Sequence, residues 1–158
     1  MKFVTLEQES GNVAINLNYI RSVQQGYKEY YGGNCVYIIT EYKTFNFINY
    51  NHRTIVRCLE KLNEPWLKPK DRRKNKITYK LFFTFPYKGG EQSFRVKDIS
   101  YIEEKKVGGK WCLDICVSDG VTYRTEMTIN QALRMLASQT MVINPDIKND
   151  DDEKEGQQ

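Results

Sequence analysis

At 158 residues, 40% hydrophobic and 28% charged, the chain has the composition of a globular protein that can bury a core without metal or disulfide staples. No stretch approaches the roughly 20 continuous apolar residues that would span a bilayer, which excludes a helical membrane protein. The net charge of +4 is uneven: Asp146 to Gln158 holds six acids against two lysines, a net of −4, so the remaining residues carry +8.

In chain order, Phe3-Val4-Thr5-Leu6 reads as a strand and Ser10-Gly11-Asn12 as a turn. Val13, Ile15 and Leu17 then alternate as a second strand should. Ile20 and Val23 resume the apolar pattern three residues out of step, which predicts a bend or bulge before a third strand. Gly32-Gly33-Asn34 is a turn signal, followed by strands over 35–40 and 44–48. Asn51 is placed to cap a helix whose Ile55, Cys58, Leu59 and Leu62 recur at i, i+3, i+4 and i+7, with Pro65 closing it.

The second half echoes the first. Ile15-x-Leu17-x-x-Ile20-x-x-Val23 returns as Phe94-x-Val96-x-x-Ile99-x-x-Ile102, and Cys35-Val36-x-Ile38 as Cys112-Leu113-x-Ile115. Between the halves lies a polar stretch carrying Pro69, the expected linker. A long strand is predicted from Ile77, with Ile77, Tyr79, Leu81, Phe83, Phe85 and Tyr87 on one face and Phe82 on the other. Further strands are expected over 93–96, 99–104, 111–117 and 121–125, with Asp119-Gly120 a hairpin turn. Thr128-x-x-Gln131 is a capping box ahead of a helix that buries Ala132, Leu133 and Leu136. From Asn144-Pro145 the composition is that of a tail outside the core.

The fold class expected from these signals is α+β: two tandem repeats, each a bent antiparallel meander closed by one C-terminal helix, packed as a pseudo-twofold pair. The boundaries are 1–65 for the first repeat, 66–76 for a basic linker, 77–143 for the second repeat and 144–158 for an acidic tail.

Residues suited to catalysis do not converge. The one histidine, His52, stands six residues before Cys58 on the predicted helix, so the two fall on different faces. Cys112 and Cys116 share a strand face but lie about 13 Å apart along it, too far to clasp one zinc ion or form a disulfide. The Gly-Gly pairs do not lead from a strand into a helix, as a phosphate-cradling loop requires. Glu103-Glu104-Lys105-Lys106 reads as a solvated hairpin arm. The expectation is a protein that is not an enzyme, with no cofactor and no metal. Four cysteines without framework spacing and a start at Met1-Lys2-Phe3-Val4 without an apolar leader core predict a cytoplasmic protein with free thiols, or one held within a phage particle.

Binding has more behind it. Lys68, Lys70, Arg72, Arg73, Lys74, Lys76 and Lys80 face only Asp71, a net of +6 over 68–80. With 11 Tyr and 7 Phe the chain has more aromatic residues than a core of its size needs. Basic and aromatic residues alternate in Tyr27-Lys28-x-Tyr30-Tyr31, Tyr42-Lys43-x-Phe45 and Tyr79-Lys80, the pattern that holds single strands by stacking along a cationic track. If Phe45 and Phe47 face inward, Tyr42 and Tyr50 face outward. With Phe82 they are the expected stacking residues for single-stranded DNA or RNA. The competing expectation is a structural or adaptor subunit of a larger assembly, such as a phage particle or appendage, whose exposed Tyr residues pack on protein neighbours. Neither reading involves a membrane.

The run Val96-Lys97-Asp98-Ile99-Ser100-Tyr101-Ile102-Glu103, with Ile115-x-Val117-x-Asp119-Gly120-x-x-Tyr123 and a closing Leu133-x-x-Leu136, resembles the strand core of LytTR-type DNA-binding domains over about 40 residues. It is also similar to small FlbD-type flagellar proteins. The Arg-rich strand and second Asn-containing hairpin of the LytTR pattern have no counterpart here, so no DNA-contacting residue is carried over. In layout the tandem copies resemble paired-repeat single-strand binders of the PUR type, a resemblance that implies a shared curved binding surface.

Overall fold

A computed structural model describes residues 2–28, 33–63, 81–136 and 140–146. The chain begins with a hairpin, β1 (Phe3–Gln8) and β2 (Gly11–Asn16). Asn16 ends β2 because its side chain has two uses: its Oδ1 accepts from the Asn18 amide at 3.0 Å, starting a 3₁₀ turn over Leu17–Tyr19, and its buried Nδ2 donates to the Ile99 carbonyl at 2.9 Å. β3 (Ile20–Lys28), β4 (Gly33–Thr40) and β5 (Thr44–Ile48) follow as a meander, then α1 (His52–Asn63). The Asn51 carboxamide accepts from the Arg53 and Thr54 amides, so α1 is capped as its sequence predicts.

The second half runs β6 (Phe82–Tyr87), β7 (Gly90–Arg95), a 3₁₀ turn over Val96–Asp98, β8 (Ile99–Val107), β9 (Lys110–Val117), β10 (Thr122–Thr125), α2 (Ile129–Met135) and β11 (Thr140–Val142). The repeated motif with its three-residue offset is a strand, a 3₁₀ turn and a second strand in both places. In each case the strand after the turn carries an irregularity, between Ile20 and Ser22 and between Ile99 and Tyr101. Thr128 and Gln131 form the predicted capping box at α2.

The strands form three layers. The central one is a six-stranded sheet in the order β10-β9-β8-β2-β1-β11, antiparallel except for the β1–β11 pair. The β3-β4-β5 sheet and α1 cover one face, packing Val36, Ile38, Phe45, Phe47, Ile55 and Leu62 against Val4, Leu6, Val13, Ile15 and Tyr101 of the central sheet. The two-stranded β6-β7 sheet and α2 cover the other, where Phe83, Phe85, Ile129 and Leu136 meet Phe3, Ala14, Ile102, Leu113 and Ile115. Each aromatic ring so buried contributes about 2 kcal/mol of transfer free energy.

This arrangement overturns the expectation of two repeats, each closed by its own C-terminal helix. The structure is mostly β, 56% strand and 21% helical, with two helices among the described residues. The first hairpin leaves its own meander and joins the second half through β2–β8 pairing, with Ala14 opposite Ile102. α2 does not end the fold, because the chain returns to lay β11 beside β1.

The reason is two-sided apolarity. Phe3 through Leu6 and Val13 through Asn16 are buried on successive residues, as are Ile99 through Glu103 and Cys112 through Val117. Strands apolar on both faces must be covered on both and therefore take the centre. β5, β6 and β7 alternate instead and stay outside. Similar local elements in the two halves thus occupy different layers.

Candidate functional site

The seven cations Lys68, Lys70, Arg72, Arg73, Lys74, Lys76 and Lys80 lie outside the described residues, as do Tyr30 and Tyr31. The three expected stacking residues do not assemble. Tyr42, 39% exposed, sits in the bend between β4 and β5, where its hydroxyl donates to the Ser118 carbonyl and its ring lies against Gly120. Phe82 is 48% exposed at the start of β6, in the layer on the opposite side of the central sheet from Tyr42.

Tyr50 is not outward-facing: it is 2% exposed. Its hydroxyl accepts from the Glu7 amide at 2.8 Å and donates to the Ile143 carbonyl at 3.0 Å, tying β1, α1's approach and the chain beyond β11 together. The expectation failed because Asn49 adopts a left-handed φ of 64°, which breaks the two-residue alternation after β5. Tyr50 is thereby brought to the same side as Phe47, ring centroids 5.7 Å apart and edge to face.

The structure assembles a different surface, at the end of the β8–β9 hairpin. Gly108 and Gly109, with φ of 57° and 79°, make the tight two-residue turn that suits a right-twisted ribbon. Pairing of β10 with β9 ends at Thr125 opposite Leu113, whereas β8 continues beside β9 as far as Val107 opposite Lys110. The Lys110–Cys112 edge therefore runs on without a strand beside it among the described residues. Along that edge lies an open groove of about 540 Å³ lined by Val107, Lys110, Trp111, Cys112, Arg124, Thr125 and Glu126. Trp111 is 52% exposed there, with the Lys106 ammonium 5.8 Å from its ring centre.

One of the groove's cations, Arg124, is fixed by a buried ionic cluster. Asp114 and Glu103 are both buried and stand opposite one another on β9 and β8, an unfavourable pairing of like charges if left uncompensated. Arg124 compensates Asp114 with two parallel bonds, Nε to Oδ1 at 2.8 Å and Nη2 to Oδ2 at 3.1 Å, and Lys105 Nζ adds a contact at 3.3 Å. Lys43, reaching over from the β4–β5 turn, meets Glu103 at 2.6 Å, and Gln8 donates to its other oxygen at 3.1 Å. Burial alone would raise the Asp114 carboxyl, but the hydrogen bonds and charges of Arg124 and Lys105 outweigh it and hold it below its ordinary range.

A general acid needs a carboxyl held protonated near neutrality, and Asp114 is driven the other way. Burial pushes the Cys116 thiol up, away from the nucleophilic thiolate. His52 Nε2 lies 3.1 Å from the Val23 carbonyl, so that nitrogen carries the proton and donates it to the backbone. Among the described residues no group of three or more His, Cys, Asp and Glu side chains is placed to hold a metal ion. No described helix is long and apolar enough to cross a membrane.

Trp111 was legible in the sequence as an aromatic among cations, in Lys105-Lys106-Val107-Gly108-Gly109-Lys110-Trp111. Its exposure was not, because the same strand also supplies Leu113 and Ile115 to the core. No protein-family model matches the chain, and neither a curated protein nor a solved structure matches it.

Proposed function

We propose that the chain is a non-enzymatic nucleic-acid-binding module and that a single strand lies across the β8–β9 groove with a base stacked on Trp111. The observation that carries this reading is the half-exposed indole beside Lys106, Lys110 and Arg124, against one carboxylate, Glu126, in the groove lining. An aromatic face supplies sequence-tolerant stacking, and the cations meet the phosphates on either side. The basic run 68–80 would lengthen the cationic track. Phe82 and Tyr42 are not among the residues that line this groove.

The test is fluorescence anisotropy of a labelled single-stranded oligonucleotide, titrated with the full chain and with Trp111→Ala at two salt concentrations. Loss of one stacked base should weaken binding about 5- to 100-fold. Neutralising about three phosphates should make affinity fall roughly 20-fold between 50 and 200 mM salt. Equal binding by the two proteins would refute the stacking role of Trp111.

The alternative, a subunit of a larger assembly, is favoured by the outer edge of β11, which no other described strand pairs and where Val142 is exposed. It predicts self-association or partner capture with little dependence on salt and no change on replacing Trp111.

A further inference from the structure

We infer that Glu126 reads the base stacked on Trp111 and makes the groove selective for guanine. The inference rests on the nucleic-acid reading of that groove and names the base it takes.

Among the described residues Glu126 is the one carboxylate that lines the groove, and no ion pair or hydrogen bond holds it. Arg124, two residues away, is engaged by Asp114 instead. The first turn of α2 is served by the capping box of Thr128 and Gln131, so Glu126 has no part in that either. Its backbone is nonetheless fixed from both sides. Thr125, the residue before it, is buried opposite Leu113 and donates its hydroxyl to the Pro86 carbonyl at 2.7 Å. Met127, the residue after it, packs against the core on the α2 side. Glu126 is thus held where β10 stops, beside the length of β9 that carries Trp111.

An ionised carboxylate only accepts hydrogen bonds, and it accepts two at once where two donors lie side by side. Of the bases, guanine alone offers that on its Watson–Crick edge, as N1–H beside the N2 amino group. Adenine and cytosine set a ring lone pair next to their amino group, and thymine or uracil flank one N–H with two carbonyls. Each of these turns an acceptor toward the carboxylate. Guanine's remaining edge atom, O6, is itself an acceptor, and Lys110 in the same lining is a donor for it.

Base contacts matter here because net charge is not decisive. Over the arm Lys105, Lys106, Lys110 and Arg124 are balanced by Glu103, Glu104, Asp114 and Glu126. Phosphate contacts position a strand, whereas contacts with base edges choose its sequence.

The experiment measures anisotropy of short labelled thymidine oligonucleotides that carry guanine, hypoxanthine, adenine or cytosine at the central position, titrated with the full chain and with Glu126→Gln. The full chain should bind the guanine strand about five- to tenfold more tightly than the adenine or cytosine strand, the lower part of the range for a bidentate base contact because the groove is open. Hypoxanthine, which keeps N1–H and lacks the amino group, should fall between. Glu126→Gln keeps one acceptor and loses the charge that repels phosphate, so every strand should gain affinity while the guanine preference drops below about twofold. Equal binding of all four strands by the full chain, or a guanine preference that survives Glu126→Gln, would overturn the proposal and leave stacking on Trp111 standing. Absence of binding to every strand would refute the nucleic-acid reading and, with it, the selection of a base.

Discussion

Replacing Asp114 with Asn tests whether the buried ionic cluster is a source of stability or merely tolerated. The change keeps side-chain shape and removes the charge on which three contacts converge, at 2.8, 3.1 and 3.3 Å. Truncating one partner of a fully buried pair costs about 3–5 kcal/mol because the other charge is stranded. That figure does not apply in full here: the Arg124 and Lys105 side chains are 52% and 36% exposed and can turn to water. The carboxamide oxygen still accepts one bond from Arg124, and the repulsion from Glu103 across the strands, worth up to about 1 kcal/mol, is relieved. The expected loss at neutral pH is therefore about 1–2 kcal/mol, or about 3–8 °C in Tm for a chain of this size.

The pH dependence carries the sharper part of the test. Because the folded carboxyl titrates below its ordinary value, the wild-type contribution is complete above about pH 4 and is lost as pH falls through the lower folded value. Urea denaturation of wild type and Asp114→Asn should thus show a gap at pH 7 that closes as the solution is acidified below pH 4. A gap of the same size at pH 7 and pH 3 would mean that shape rather than charge is responsible. No gap at pH 7 would mean that the Arg124 and Lys105 contacts do no more than offset the repulsion from Glu103.

Tyr50→Phe removes the hydroxyl between Glu7 and Ile143 and leaves a backbone amide without its partner, so about 1–2 kcal/mol should be lost in chemical denaturation, with oligonucleotide affinity unchanged. A loss of affinity at constant stability would restore Tyr50 to the binding surface. Thr128→Ala breaks the capping box of a seven-residue helix and should cost about 1 kcal/mol, read as a Tm drop of about 2–4 °C. Unchanged Tm would show that packing of Ile129 and Ala132 alone holds α2.

Signals confined to a few residues were readable in the sequence, and those that depend on distant partners were not. The caps at Asn51 and Thr128 were readable, as was the Asp119-Gly120 turn, where the Gly120 amide bonds back to Val117. Strand pairing was not, since Ala14 meeting Ile102 joins residues that no local pattern connects. A clue to it was present in the runs at 3–6 and 112–117, apolar at successive positions save for Thr5 and Asp114, which distinguish a central strand from an outer one. The outward placement of Tyr50 turned on a single left-handed residue, Asn49, and alternation counted from Phe45 cannot register such a step. Leu81 shows the same limit from the other side: the two-residue count placed it with Phe83 and Phe85, yet it is exposed because it precedes the strand rather than lying within it.

The location of the groove follows from the same layering that overturned the tandem-repeat arrangement. A central sheet covered on both faces has no open face of its own among the described residues, so a ligand of that sheet would meet it where its strands outrun their neighbours. β9 outruns β10 at Lys110–Cys112, and the hairpin arm takes its polar residues there because that length is no longer sandwiched. Burial along β8 changes from complete at Ile99–Glu103 to exposed at Lys106 and Val107, and charge changes with it. The Asp114–Arg124–Lys105 cluster lies near that boundary and fastens Arg124, which lines the groove, to a buried carboxylate. On this argument Asp114→Asn should disturb ligand binding as well as folding: Arg124 and Lys105 keep their charge but lose their anchor. Affinity for the oligonucleotide should fall by less than on removal of Trp111, and a gain would show that the carboxylate acts mainly by repelling phosphate.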